Sequence, residues 1–465
     1  MIDQYGNFIS WIPNLKTSKE PLYIALAGCI EQDIANGVIE ARFRMPPQRV
    51  LANFLNINHS TVTKAYKLCE ERGLLNGAIG KGTFVSTYAG LPQSVLSDFK
   101  RTDLIDMGTI HPLGEMNALI GRYVKDIYAS LDYPKILDYG PPEGFLHQRH
   151  VFSRWLEQYE LNFKADQLVV TSGAQNALTV VLSALFARGD RIFVDEVTYI
   201  GITNTAKILG LTLVPVATNA DGIDIECLEY TCRKNPPKGI YLIPDSHNPT
   251  SCTLSLEKRK QIAEIVIRYD LTLIEDDPYG GMCYEGLPPI SKFAPDSSIH
   301  IKGTSKSISP AFRIGVAAMP AHCVRQAAER LNAISWSAST INAEVLTHLI
   351  LTDKYAEICK LKREILHRRN SMVDSQLHNL QLLPAKTSFI RYVMLPTELS
   401  DIELEHECLK RGLQIFAAKR FSVGINQNAN AIRLSVSGPK SSEQLLEGLQ
   451  ILKGVIESGK SSFIM

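Results

Sequence analysis

Residues 305–315 read Ser305-Lys306-Ser307-Ile308-Ser309-Pro310-Ala311-Phe312-Arg313-Ile314-Gly315. A lysine follows the apolar run 299–302, an arginine stands seven residues further on, and a glycine opens a second apolar run. Lys306 is a candidate for Schiff-base chemistry, because desolvation lowers a lysine pKa and frees the amine as a nucleophile. Arg313 suits a phosphate, which its planar fork holds by two hydrogen bonds. Taken alone, the stretch reads more simply as a solvated loop, so the surrounding chain decides its meaning.

Working outward, β-rich apolar runs recur at 168–170, 191–194, 211–216, 240–243, 271–274, 299–301 and 316–319, separated by helical or loop segments. Near-continuous apolar strands predict an α/β fold with a mostly parallel sheet covered on both faces. Ligands of such sheets bind beyond the carboxyl ends of the strands, and the polar residues collect there. Thr171-Ser172-Gly173-Ala174-Gln175-Asn176 leads into a helix predicted over 177–187, whose first N–H groups suit a phosphate; a plain strand–helix turn is the alternative. Asp245-Ser246-His247-Asn248-Pro249-Thr250 presents an amide after Ile243. Glu275-Asp276-Asp277-Pro278-Tyr279 follows Ile274 and offers a carboxylate for a protonated ring nitrogen and a hydroxyl for a ring oxygen. Singly, these residues read as well as an acidic turn beside a core tyrosine. Arg433, in a late strand, is either a salt-bridge partner or a carboxylate receptor.

The first 87 residues have another character. Leu22, Leu26, Ile30 and Ile34 recur at helical spacing up to Gly37. A Pro46-Pro47 corner precedes a short helix over 49–55, a third helix spans 60–72, and two short strands flank Gly80-Lys81-Gly82. That is the order of a winged helix-turn-helix. Arg42, Arg44, Arg49, Lys64, Lys67, Arg72 and Lys81 face only Glu70 and Glu71, an excess suited to DNA phosphates. His59, Ser60, Thr61 and Thr63 crowd the start of the third helix, where a recognition helix reaches base edges. A helical protein-interaction module with a basic face is the competing reading.

The chain has 465 residues, a net charge of +1 and 45% hydrophobic residues, enough for several domains with sizeable cores. No global field draws it to nucleic acid or membrane, so any basic patch is local. Nine scattered cysteines without metal-ligand spacing fit a reducing compartment and predict no metal site. No signal-like core or long apolar run points to a membrane, and the expectation is a cytoplasmic protein. The expected division is a DNA-binding domain over 1–87, a linker over 88–104 and an effector domain over 105–465.

Pro21-Leu22-Tyr23, Pro46-Pro47-Gln48-Arg49, Thr61-Val62, Ala65-Tyr66 and Gly80-Lys81-Gly82-Thr83-Phe84-Val85 together resemble the GntR family of winged-helix regulators over residues 20–87. The resemblance implies DNA contacts by Arg49, by the first turn of the third helix and by the wing Gly80, Lys81 and Gly82. It departs at His59, where the family often has arginine. Residues 105–460 resemble the fold-type I aminotransferases that use pyridoxal 5′-phosphate, with six motifs in the family's order. That resemblance implies Lys306 as the covalent anchor, Asp276 on the pyridine nitrogen, and Asn248 and Tyr279 on the phenolic oxygen. Tyr199 would stack on the ring, Ala174, Gln175, Ser305 and Arg313 would hold the phosphate, and Arg433 a carboxylate. Tyr139 matches a tyrosine that reaches the neighbouring subunit's phosphate, which implies a homodimer. The sequence departs from this pattern at Gly303, at Ser251 and at Gln148-Arg149.

A GntR-like winged helix joined to an aminotransferase-like domain is similar to the MocR subfamily of bacterial transcription regulators. The resemblance implies a regulator of double-stranded DNA that senses pyridoxal 5′-phosphate or an amino compound. The alternatives are a working aminotransferase with an accessory N-terminal module, and a binding module without cofactor.

Overall fold

Leu26, Ile30 and Ile34 line one face of the first helix, Leu22–Ala35, and bury against Leu51 of the second helix, Gln48–Leu55, and Val62, Ala65 and Tyr66 of the third, His59–Glu71. Asn56, left-handed at φ 53°, ends the second helix, and the Asn58 carboxamide caps the third by accepting from Ser60 N at 2.9 Å. Tyr66 donates to Pro46 O at 2.8 Å and pins the third helix to the proline corner. Strands Leu75–Ala78 and Gly82–Val85 pair antiparallel, and Arg44 bridges to Phe84 as a third, single-residue rung. This is a winged helix-turn-helix.

The computed structural model describes residues 9–15, 21–35, 38–40, 43–71, 74–78, 82–85, 104–283, 286–424 and 430–461. It divides into two compact units, Met1–Thr102 and Asp103–Met465. Of the expected linker only Leu104 is described; Gly80 and Lys81 also lie outside the described residues.

The second unit is built on a seven-stranded sheet in the order Leu168–Thr171, Gly315–Ala318, Ser298–Gly303, Thr272–Asp277, Gly239–Leu242, Arg191–Asp195, Thr212–Val216. Gly315–Ala318 runs antiparallel to both neighbours, and the other pairings are parallel. Both faces are covered. Val170, Val316 and Ala318 join one core with Phe152 and Trp155, while Val169 and Ala317 join another with Leu178 and Val181. Alternate residues of an extended chain point to opposite faces, which explains the unbroken apolar runs. A smaller antiparallel sheet orders Gln381–Leu382, Ile390–Met394, Ala431–Ser435 and Phe416–Ala417.

Among the boundaries that differ from expectation, two bear on the site. The helix predicted from 177 begins at Ala174, because Gly173 turns the chain at φ 91° and Asn176 Oδ1 accepts from Ser172 N. The strand expected to end at Ile274 runs to Asp277, because Asp276 and Asp277 pair with Ile301 and Lys302. Lys302 Nζ also donates to Asp277 Oδ2 at 2.6 Å, and it lies 3.5 Å from the centre of the Tyr159 ring.

Gly315 pairs with Gly303 on one side and Thr171 on the other, which lays the 304–314 loop across the start of the Ala174–Leu185 helix. A Cβ on Gly315 would sit 2.9 Å from Gly173 C and 3.0 Å from Ala174 N, backbone atoms that cannot yield. Gly315→Ala is therefore expected to destabilise the second unit by about 1–3 kcal/mol, read as a fall in its urea midpoint.

Candidate functional site

Lys306 leaves the sheet edge in a loop held from below by Lys362 of the long helix Lys354–Gln376. The Lys362 Nζ is fully buried and donates to the carbonyls of Lys306 at 3.1 Å and Ile308 at 2.8 Å, and burial lowers its pKa to about 8. The Lys306 Nζ donates to Ile110 O at 2.6 Å. Burial, with the positive charges of Arg433 and Arg313 adding to it, lowers the Lys306 pKa to about 8, so the amine is still mostly protonated at neutral pH but has a far larger neutral fraction than an ordinary lysine.

Arg313 sits in a left-handed conformation at φ 48°, a strained backbone for a non-glycine residue. That turn aims its guanidinium at Ser305 Oγ and Ser172 O, both at 3.2 Å. The fork passes over Gly173, where a Cβ would stand 2.7 Å from Nη2, so only glycine leaves room. Ser305 and Arg313 thus meet the N-terminus of the Ala174–Leu185 helix. There the side chain of Gln175 donates to Thr205 Oγ1 at 2.9 Å and Gly201 O at 3.4 Å, which leaves its backbone N–H, with that of Ala174, for an anion. Gly201 makes space for this arrangement, since a Cβ there would collide with the Tyr199 ring at 2.1 Å and with Gln175 Oε1 at 2.3 Å.

Asp276 is buried at the sheet edge. Its Oδ2 accepts from the Tyr241 hydroxyl at 2.7 Å, while Oδ1 has no hydrogen-bond partner among the described residues. Burial raises its pKa to about 7 against the pull of the Tyr241 hydroxyl. Tyr279, whose ring stacks on Phe389 at 5.2 Å, also has an unpartnered buried hydroxyl. Burial raises the Tyr199 pKa to about 12; the charges of Asp276, Arg313 and Arg433 also act on it, so its half-buried ring lies among them.

Asn248 Oδ1 accepts from Arg433 Nη1 at 2.9 Å. Arg433 Nη2 donates to Gly108 O, the guanidinium lies 4.5 Å from the Phe421 ring centre and 5.3 Å from that of Phe416, and burial lowers its pKa to about 10. Among the described residues, Arg433 forms no salt bridge. Behind Asn248, the neutral His247 ring stands 3.4 Å from the Asp195 carboxylate, burial lowering the one pKa to about 3 and raising the other to about 7. Ser251, where the resembled family has glycine, adopts φ 59°, the conformation that makes glycine usual there.

The structure therefore draws Lys306, Arg313, Ser305, Ala174, Gln175, Tyr199, Asp276, Tyr279, Asn248 and Arg433 to one end of the sheet. Tyr139 is not among them. It is 82% exposed and packs at 5.3 Å on Trp336, itself 56% exposed. Tyr241, Phe389, Lys362, Gly201 and the 106–111 loop escaped the sequence reading. Tyr241 lies inside an apolar strand and Lys362 in a charged helix, and neither setting signals a role. Among the described residues, no group of three or more His, Cys, Asp or Glu could hold a metal ion.

In the first unit, Arg49, His59, Ser60 and Thr63 are exposed and Thr61 is half-buried. Thr63 Oγ1 bonds Gln48 Oε1 at 2.9 Å and His59 O at 3.0 Å, linking the starts of two helices. Gly82, at φ 108°, would hold a Cβ 3.3 Å from Arg44 Nε, so the wing's glycine lets that basic side chain lie across it.

The aminotransferase class I and II model matches residues 102–451, and the model of the bacterial regulatory proteins of the gntR family matches residues 22–85. The chain is 36% identical to YdeF, an uncharacterized HTH-type transcriptional regulator of Bacillus subtilis, over 98% of this chain and 99% of that one. It is 26% identical to PtsJ, a vitamin B6 salvage pathway transcriptional repressor of Salmonella typhimurium, over 70% of this chain and 73% of that one. The fold is also that of a multiple substrate aminotransferase from Thermococcus profundus, with a TM-score of 0.73 at 22% identity, covering 80% of this chain and 95% of that one. The chain belongs to the GntR-family transcriptional regulators of the MocR type, in which a helix-turn-helix unit is joined to an aminotransferase class I and II domain.

Tyr241→Phe deletes one donor to a buried carboxylate and is expected to destabilise the second unit by about 1.5–3 kcal/mol, measured by urea unfolding.

Proposed function

We propose that this protein is a transcription regulator that binds double-stranded DNA through its winged helix and holds pyridoxal 5′-phosphate in its second unit as the sensed cofactor. The observation that carries the reading is a charge imbalance. Lys306, Arg313 and Arg433 donate to carbonyls, a hydroxyl and an amide rather than to carboxylates. Close by, the buried Asp276 keeps an unpartnered oxygen. Buried Arg433 and buried Asp276 are unfavourable without charged partners, and half-buried Lys306 and exposed Arg313 stand at the same edge, so the site suits a ligand bearing anions and a protonated nitrogen. Pyridoxal 5′-phosphate has those groups, and when bound it supplies an electrophilic carbonyl and an electron-withdrawing ring.

In this reading Lys306 is the covalent anchor and Asp276 Oδ1 accepts from the ring nitrogen. Tyr279 and Asn248 bond the ring oxygen, and Tyr199 covers the ring face. The phosphate falls to Arg313, Ser305 and the N–H groups of Ala174 and Gln175, and a carboxylate to Arg433. Exposed Tyr139 and Trp336 would pack in a homodimer, with Tyr139 completing a partner's site. Arg49, His59, Ser60, Thr61, Thr63 and the wing residues Gly80, Lys81 and Gly82 would meet DNA. The protein would then act in the cytoplasm, over domains 1–87 and 105–465. A relative named for vitamin B6 salvage supports a B6 compound as effector. A Lys306 pKa of about 8, close to neutral pH, also suits proton transfer, and sustained exchange between amino acids and keto acids would favour a working aminotransferase instead.

The test is a band-shift titration on DNA upstream of the protein's own gene, with and without pyridoxal 5′-phosphate. A specific shift that changes with cofactor is expected, and in Lys306→Ala that change should vanish; DNA binding indifferent to cofactor in the native protein would sink the reading. Arg49→Ala should lower affinity for all sequences and reduce the salt slope by about 1. Borohydride trapping of pyridoxal 5′-phosphate on Lys306 should rise with pH and reach half its plateau near pH 8, because the neutral form of the amine reacts and predominates above its pKa. An ordinary lysine would reach half-plateau near pH 10.4.

A further inference from the structure

The segment that opens the second unit reaches the centre of the site. Strand Ile105–Asp106 pairs with Leu413–Gln414, and Met107 N continues that ladder to Gln414 O at 2.9 Å. There the chain leaves the strand, and one side chain folds it back. Asp106 Oδ1 accepts from Gly108 N at 2.9 Å and Thr109 N at 2.8 Å, and Oδ2 bonds His111 Nε2 at 3.0 Å. The turn so made delivers two carbonyls inward, Gly108 O to Arg433 Nη2 and Ile110 O to Lys306 Nζ. One six-residue loop thereby occupies the two cations on which the proposed carboxylate and cofactor carbonyl would act. It is closely fitted, since a Cβ on Gly108 would come within 3.1 Å of Phe416 and Gln414. It is also imperfectly satisfied, for the buried Thr109 hydroxyl has no partner.

We infer that loop 106–111 is a ligand-displaced latch whose position is read by the DNA-binding unit. The inference rests on the cofactor reading above and adds the route by which binding is reported. A carboxylate forms stronger, charge-assisted bonds with Arg433 than a neutral carbonyl does, so it displaces Gly108 O. When the neutral Lys306 amine bonds to a carbonyl carbon, its two hydrogens leave with the carbonyl oxygen as one water and nitrogen becomes doubly bonded to carbon. The nitrogen would then no longer donate to Ile110 O as the free amine does. Both events favour an arrangement in which the loop has let go. A ligand shifts an equilibrium only by its differential affinity for the two arrangements, and here the two displaced carbonyls supply it. In the sequence, the wing strand that ends at Val85 precedes the strand Ile105–Asp106, from which loop 106–111 leaves.

The test uses the full-length protein with pyridoxal 5′-phosphate, which addresses the Ile110 O contact, and then with an added α-amino acid, whose carboxylate addresses the Gly108 O contact. Hydrogen exchange of amides 107–111 should quicken on adding the cofactor, and Lys306→Ala should abolish the change. His111→Ala removes a half-exposed prop of the turn without touching the sheet. It should bind pyridoxal 5′-phosphate at least threefold more tightly, and its cofactor-free affinity for the upstream DNA should move to the cofactor-loaded value of the native protein. His111→Gln, which keeps a donor for Asp106, should behave as the native protein does. If the cofactor's visible absorbance band forms while exchange at 107–111 and the DNA response of His111→Ala stay native, the latch is overturned and the cofactor reading stands. If no band forms on the native protein, both fall.

Discussion

The site depends on a single antiparallel strand. Gly315–Ala318 enters a sheet of otherwise parallel strands between Leu168–Thr171 and Ser298–Gly303, so its first residue lies beside the last residues of both neighbours. The connection from Gly303 to Gly315 therefore cannot cross to the far end of the sheet as a crossover helix would. It must turn within eleven residues at the carboxyl edge, where it carries Lys306 and Arg313 over the start of the Ala174–Leu185 helix. Glycine at 173, 303 and 315 permits the close backbone approach. At Gly303 a Cβ would press to 3.1 Å on the Ala174 methyl, so the lost hydroxyl at this position is accompanied by tight packing rather than by a void.

Around that edge the protein gathers charges that ordinary cores avoid. Some are neutralised in place: Lys302 by Asp277, with the Tyr159 ring beneath the ammonium, and Glu275 by two backbone amides and the Ser291 hydroxyl, with His300 at 3.5 Å. Others have only dipoles to answer them, as Lys362 has two carbonyls and Arg433 a carbonyl and an amide. The distinction separates structural ion pairs from groups poised for an outside partner. Asp277 and Asp276 are neighbours in sequence and fall on opposite sides of it.

The same geometry suits a regulator. Lys306 and Arg433 are each answered by a carbonyl of one six-residue loop rather than by the sheet. An enzyme and a sensor would share this chemistry, and they differ in whether binding is followed by release or by a lasting change in the chain that leads to the DNA-binding unit.

Much was legible from residue order alone. Continuous apolar runs marked the sheet strands because both faces are covered, and the helix-helix-helix-hairpin order with its local basic excess marked the winged helix. Lys306, Arg313, Asp276, Asn248, Tyr279 and Arg433 could be picked out because each follows or lies in a strand, and strand ends in such folds converge. What required the tertiary structure was everything that depends on which unlike segments meet. Tyr241 looks like a core aromatic until its hydroxyl is found on Asp276. Lys362 looks like a solvated helix charge until it is found buried beneath the Lys306 loop. Helix starts shifted where a positive-φ glycine and a capping amide outweighed apolar periodicity, and a strand lengthened where acidic residues found pairing partners across the sheet. The sequence by itself determined the two units, their fold class and the chemical groups available. Only the tertiary structure decided which of those groups are paired, because burial and long-range contacts, not local pattern, settle whether a charge is neutralised or left to a ligand.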